Sequence, residues 1–159
     1  MTKGQNTNVL IGSAVTTTAT AGFFDPTPGG ADVPVLIASW VGMLGGIAKI
    51  YEVPFDTNLA KNTLTQALTS AAFFIGGTKA LTFLLKWTGA GFVVGGGINA
   101  FLNAVFTWRV GRLYQATWMK GSEPPTAKQV TQALMVMIGL EEIGEVTAMM
   151  RSSSTDDSA

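Results

Sequence analysis

The sequence predicts an all-α protein of about five helices, and three observations favour this fold class. Long stretches of the chain lack charge and are separated by turns rich in proline and glycine. Apolar residues recur at helical spacing, as at Leu64, Leu68 and Ile75. The alternation of polar and apolar residues that indicates strands is poor throughout. We therefore expect a glycine-rich, close-packed helical bundle, and its composition favours association with a membrane.

Turns rich in proline and glycine separate the first three predicted helices. The stretch FFDPTPGGADVP lies between an apolar run at residues 9–24 and a second helix at residues 34–51, which opens with a proline. EVPFDT forms the next turn. Asp56 or Thr57 is the predicted N-cap of a third helix from about Asn58.

The end of the chain predicts one further helix and a tail. After the break GSEPP, Thr126 and Gln129 have the spacing of a capping box, which starts an amphipathic helix that ends near Met150. The tail RSSSTDDSA lacks apolar residues. We expect the following organisation: a flexible N-terminus at residues 1–8, a helical membrane-associated domain at 9–121, a C-terminal amphipathic helix at 122–150 and a disordered tail at 151–159.

Composition excludes several classes of function. The 159 residues include 10 basic and 10 acidic side chains, so there is no net positive field to attract nucleic acid. Cysteine and histidine are both absent, which removes thiolate nucleophiles, the usual zinc ligands and the commonest general base. Charged residues make up only 13%, about half the share usual in soluble domains. We expect a protein that is not an enzyme, with no catalytic residue, cofactor or metal.

The stretch GAGFVVGGGINAFLNAVFTWRVGRL at residues 89–113 has three possible interpretations: a phosphate-binding loop, a membrane span or a close-packed helix. A phosphate-binding loop requires lysine and a hydroxyl residue after its last glycine, whereas Ile98 and Asn99 occupy those places. A dinucleotide site requires a preceding strand and a later acidic residue, and neither is found. The nucleotide interpretation is therefore rejected.

Helix packing accounts for more residues of this stretch. Steps of four give an unbroken row of small or short polar side chains, which would let another backbone approach closely. A second helix repeats the spacing with Gly42 and Gly46, which indicates that the two helices are partners. The alternative is that the glycines at 95–97 loosen or end a helix. The predicted packing or self-association residues are Gly42, Gly46, Gly91, Gly95, Asn99, Asn103, Thr107 and Gly111.

Membrane insertion is also consistent with this region. Residues 87–108 carry no charge, have tryptophan at both ends and are followed by Arg109 and Arg112. The glycines and asparagines lower the apolarity, so a buried helix inside a helical domain remains open. Residues 4–24 and 33–48 are weaker candidate spans. Arg109, Arg112 and Lys120 are predicted to contact lipid head groups.

A glutamate cluster on the last predicted helix is the other candidate for chemistry. Glu141 and Glu145 lie four residues apart, with Glu142 beside them. Such carboxylates are able to act as an acid and base pair or to bind a hard cation. A solvated helix face is the commoner explanation, and the sequence places no other ligand nearby.

Taken together, DVPVLIASWVGMLGGIAKIYEVPFD and the glycine-rich stretch resemble a poorly characterised bacterial helical domain found with Era-like and dynamin-like GTPases and in small inner-membrane proteins. The resemblance covers roughly residues 18–120. It implies membrane association and a link to a GTPase. This chain lacks a GTPase domain, so any nucleotide chemistry belongs to a partner, and Gly42 and Gly45 stand where bulkier residues are expected. The matching residues are Asp32, Pro34, Tyr51, Ile98, Asn99, Ala100, Thr107, Gly111 and Arg112.

The leading hypothesis is a non-enzymatic, membrane-associated helical adaptor, anchor or self-assembling scaffold that works with a partner GTPase. Its expected partners are membrane lipid, the GTPase and further copies of the chain, and its expected location is the bacterial inner membrane or a similar internal membrane. One alternative is a small transporter or pore with a path lined by Asn99, Asn103 and Thr107. Another is a soluble helical bundle that binds an apolar ligand.

Overall fold

The computed structural model describes residues 1–24, 32–76, 96–136 and 140–154, and these contain six helices and no strand. The all-α prediction is confirmed. Four long helices come first, and two shorter helices follow. Their bounds are α1 Lys3–Phe24, α2 Asp32–Tyr51, α3 Thr57–Gly76, α4 Gly96–Met119, α5 Ala127–Met135 and α6 Leu140–Ser154.

The central helix is α4. Every residue from 100 to 107 is buried, which covers more than a full turn and therefore every side of the helix. A helix that is apolar all round packs in the interior of a protein or in lipid, and here other helices surround these residues. Residues 100–107, which belong to the charge-free stretch at 87–108, are thus covered by protein. Residues 77–95 lie outside the described residues.

The helices α1 and α2 pack on α4 in opposite directions. Ile11 lies against Gly111 while Thr18 lies against Asn103, so α1 is antiparallel to α4. Trp40 of α2 reaches Thr107, and Met43 lies beside Gly111. The two contacts advance along both helices in the same sense, so α2 runs parallel to α4. These three helices contribute most of the buried apolar side chains.

A short turn joins α2 to α3, and Asp56 caps the new helix as the sequence predicted. The Oδ1 atom of Asp56 accepts hydrogen bonds from the backbone N–H groups of Asn58 and Leu59, both at 2.9 Å. Phe55 in the turn packs edge-on against Trp118 of α4 at a centroid distance of 6.3 Å. The turn is therefore anchored to the central helix.

The first helix starts earlier than the sequence analysis predicted. We expected flexible residues up to position 8, whereas α1 begins at Lys3. The early start is explained by two hydrogen bonds between Thr2 and Gln5. The Thr2 backbone N–H donates to Gln5 Oε1 at 2.7 Å, and the Gln5 N–H donates to Thr2 Oγ1 at 3.2 Å. This reciprocal capping satisfies two backbone donors that a helix start leaves free.

The C-terminal region also differs from its prediction. In place of one helix at 122–150, the described residues form α5 and α6, and α6 continues to Ser154. The capping box of Thr126 and Gln129 at the start of α5 is present as predicted. Both helices pack on α4, with α5 also against α3 and α6 also against α1. Neither packs on α2, so the α5–α6 pair and α2 lie on different sides of the central helix.

Candidate functional site

The small and polar row on α4 faces α1 more than α2. Gly111 is the tightest point, because a Cβ atom there would lie 2.7 Å from Ile11 Cγ1 and 3.2 Å from Met43 Sδ. Gly111 therefore permits close approach of both neighbouring helices. The predicted packing of α2 on α4 is present at Thr107 and Gly111, although α1 is the main partner of the row. Gly91 and Gly95 lie outside the described residues, and the Asn99 side chain is not described.

Asn103 and Thr107 belong to a buried chain of hydrogen bonds across three helices. The Trp40 indole N–H donates to Thr107 Oγ1 at 2.7 Å, and the Thr107 and Thr18 hydroxyls lie 2.8 Å apart. Thr18 Oγ1 in turn donates to the Ala14 carbonyl at 2.9 Å, so the Thr107 hydroxyl is the donor to Thr18. The Asn103 amide donates to the Thr18 carbonyl at 3.3 Å. These bonds fix how α1, α2 and α4 pack on one another.

The two predicted packing glycines of α2 have different surroundings. A Cβ at Gly46 would lie 2.8 Å from Leu10 Cδ1 of α1, so this position supports packing within the chain. A Cβ at Gly42 would meet no atom within 4 Å. The outer side of α2 at Gly42 is therefore open, and nothing in the described part of the chain covers it.

Arg109 lies in the interior, where its side chain is 6% exposed. Its guanidinium binds both carboxylate oxygens of Glu142, with Nη2 at 2.8 Å from Oε2. Its Nη1 also donates to the carbonyl oxygens of Ala133, Leu134 and Val136 at the end of α5. One side chain of α4 thus caps α5 and holds the first turn of α6.

The prediction of a head-group contact is wrong for Arg109, because its side chain is buried. Arg112 is partly exposed and Lys120 is exposed, and for these two residues head-group contact stays a prediction. Arg112 donates to Asn8 Oδ1 at 2.8 Å and lies 3.5 Å from Glu145. Its guanidinium also lies 5.7 Å from the ring centroid of Trp108. The glutamates of α6 therefore pair with arginines of α4, which accounts for Glu142 and Glu145.

The described residues hold no group of three or more acidic residues positioned for a metal ion. Burial raises the pKa of the Tyr114 phenol to about 12, so this group stays protonated at neutral pH. The interactions described for these side chains are therefore packing contacts within the bundle and contacts at its surface.

The most distinctive surface is the outer face of α2, by which we mean Pro34, Val35, Ala38 and Gly42 with Lys49 at its end. These residues are exposed and share one side of the helix. Residues 33–48 carry no charge, and the opposite side of α2 is buried in the core. The sequence analysis assigned Gly42 on this face to helix packing, whereas its surroundings in the structure are open.

By length and composition, α2 is the one helix in the described part of the chain that is able to cross a membrane, over Val33–Tyr51. Such a helix also occurs in the core of soluble proteins, so this finding is compatible with either environment.

The fold and the site define a helical-bundle domain with a buried apolar core and a few buried polar contacts, without an assigned reaction. A family model described as a domain of unknown function, DUF697, matches residues 2–141. Because the match covers most of the chain, the protein belongs to this family. Neither the curated proteins nor the solved structures contain a match to the chain.

Proposed function

We propose that the protein is a non-enzymatic, membrane-associated helical anchor, adaptor or self-assembling scaffold. The observation that carries the proposal is the outer face of α2, which is uncharged over residues 33–48 and covered by none of the described helices. Apolar surface left exposed along a helix is typical of a contact with lipid or a partner.

The threonine residues of α1 are compatible with an apolar neighbourhood. The hydroxyls of Thr16, Thr17 and Thr20 each donate to the carbonyl four residues earlier, at 3.0 to 3.1 Å. Such bonds satisfy the hydroxyl within the helix, so these side chains present fewer open donors than the sequence suggests.

A partner GTPase is part of the same proposal and is supported by the sequence resemblance described above. The nucleotide chemistry would then belong to the partner, because this chain has no phosphate-binding loop. We expect the purified chain to hydrolyse neither GTP nor ATP. Turnover that copurifies with the chain after removal of contaminating hydrolases would contradict a purely non-enzymatic role.

A pore is the weaker candidate. Two of the three side chains predicted to line a path are Asn103 and Thr107. Both are buried and form hydrogen bonds with α1 or α2. Residues that line a water-filled path keep such groups available to the permeating molecule.

The test of membrane association is flotation of the full chain with vesicles made of phosphatidylcholine and phosphatidylglycerol. We expect the protein to float with the vesicles at both low and high salt, because apolar contact is insensitive to screening. A protein that stays at the bottom of the gradient under both conditions contradicts the proposal. Release by salt alone would show that charge, and not the outer face of α2, holds it there.

A further inference from the structure

We propose that the protein lies flat on the lipid bilayer, with the outer face of α2 in the membrane interface and with α3 and the α5–α6 pair in water. This inference rests on the proposed membrane association and specifies which surface meets lipid. It also differs from a crossing of the membrane by α2, which the length of that helix alone would allow.

The first argument comes from α3, the hairpin partner of α2. Both helices have 20 residues and pack side by side, so a bilayer crossed by α2 would also enclose α3. The exposed side of α3 carries mainly amides and hydroxyls, together with Lys61 and with Leu59, which is 57% exposed. Such polar side chains are costly in hydrocarbon, where water is absent. The exposed polar residues are Thr57, Asn58, Lys61, Asn62, Thr65, Gln66, Thr69 and Ser70.

The second argument comes from the charges of the α5–α6 pair. Lys128, Glu141, Glu145 and Arg151 are exposed on these two helices, which pack on α1, α3 and α4 and not on α2. With the outer face of α2 toward lipid, these charged side chains remain in water. A crossing orientation would bring part of this pair to the depth of the central helix, where charged side chains are expensive.

The third argument is the composition of the outer face itself. Val35 is 46% exposed, Ala38 and Gly42 follow at the next turns, and no charged residue interrupts them. Lys49 ends the face and is exposed, so its flexible stem is able to carry the ammonium group to lipid phosphates. An uncharged strip with a basic residue at its edge is the arrangement that interfacial helices use.

Single cysteines provide the test, because the chain contains none of its own. We would compare Ala38→Cys and Gly42→Cys on α2 with Thr69→Cys on α3. All three positions are exposed, so the fold should tolerate the changes. Each variant of the full chain is bound to phosphatidylcholine and phosphatidylglycerol vesicles, recovered by flotation and treated with a water-soluble maleimide. The labelling rate is compared with that of the same protein unfolded in detergent.

We expect vesicle binding to slow labelling at positions 38 and 42 by at least about tenfold, because a thiol removed from water forms little of the reactive thiolate. Labelling at position 69 should stay within about twofold of the unfolded reference, since a thiol in water keeps its ordinary pKa. Protection at 69 equal to that at 38 would show that α3 is also enclosed, which overturns the flat orientation.

Other outcomes also decide the matter. If the variants float but positions 38 and 42 label freely, the protein binds the membrane through another surface and only the orientation fails. If none of them floats, the proposed membrane association fails as well. If positions 38 and 42 are protected and Ala38→Cys also forms disulfide-linked dimers on mild oxidation, a second copy covers the face in place of lipid, which overturns the inference.

Discussion

The two helices of the α2–α3 hairpin have the same length and opposite exteriors. Each buries an apolar side in the bundle, for example Trp40 and Leu44 of α2 and Leu64 and Leu68 of α3. Outside, α2 presents uncharged apolar and small residues up to Lys49, whereas α3 presents mainly amides and hydroxyls, with Lys61 and one exposed leucine, Leu59. Burial within the chain explains the inner faces of both helices. It does not explain the outer face of α2, which we propose contacts lipid.

A second difference concerns their neighbours. The α5–α6 pair contacts α3 through α5 only, and neither of its helices contacts α2. The pair is held by Arg109, whose carboxylate partner and carbonyl partners all belong to α5, α6 or the residue after α5. Perturbing this arginine should therefore affect the side of the bundle that α3 occupies before the side that α2 occupies.

Replacement of Arg109 is expected to have the largest effect. Arg109→Ala leaves Glu142 buried without its partner, which should lower the free energy of unfolding by about 3 to 5 kcal/mol. Hydrogen exchange followed by mass spectrometry should show protection lost first in α5 and α6, with α2 the last of the peripheral helices to respond.

Two variants control for this prediction. The double change Arg109→Met with Glu142→Leu should recover most of the loss, because no buried charge then remains unpaired. Arg112→Ala, at a half-exposed ion pair, should cost about 1 kcal/mol or less. Equal losses from Arg109→Ala and Arg112→Ala would contradict the role assigned to the buried arginine.

Glycine replacements separate the covered and open surfaces. Gly111→Leu forces a side chain against Ile11 and Met43, and we expect a loss of about 1 to 3 kcal/mol in the free energy of unfolding. Gly42→Leu meets open space and should raise stability by up to about 1 kcal/mol, since leucine favours a helix over glycine. Thermal unfolding of both variants measures the difference. A loss at Gly42 as large as that at Gly111 would mean that something already covers the outer face of α2.

The buried hydrogen-bond chain should give an effect comparable with that of Gly111→Leu. Thr107→Val keeps the shape of the side chain but leaves the Trp40 indole N–H without its acceptor, which should cost about 1 to 3 kcal/mol in denaturant unfolding. Thr107→Ser keeps the hydroxyl and should be the milder change. If serine and valine destabilise equally, packing of the methyl group and not the hydrogen bond accounts for the role of Thr107.

Local signals in the sequence predicted local features. Asp56 as N-cap and the capping box of Thr126 with Gln129 follow from residue type and spacing alone. Thr2 and Gln5 have the same spacing as that capping box, so the early start of α1 was visible in the sequence and was overlooked.

Partners distant in the sequence were beyond such reasoning. No local pattern links Arg109 to a glutamate two helices later, and an arginine beside an apolar run resembles a membrane flank as much as a buried ion pair. The charge-free region at 87–108 posed the same difficulty. Apolar residues predict burial, but they do not reveal whether protein or lipid provides it.

The most direct test of the account compares one charge placed on α2 with the same charge placed on α3. Ala38→Asp and Thr69→Asp both change exposed positions, so both should stay folded and keep nearly unchanged melting temperatures. In vesicle flotation, Ala38→Asp is expected to reduce the bound fraction by at least about tenfold, because a carboxylate at the lipid contact costs more than 1.4 kcal/mol. Thr69→Asp should bind as the unchanged protein does. Equal binding by the two variants, or a larger loss from Thr69→Asp, would contradict the claim that the outer face of α2 is the membrane contact.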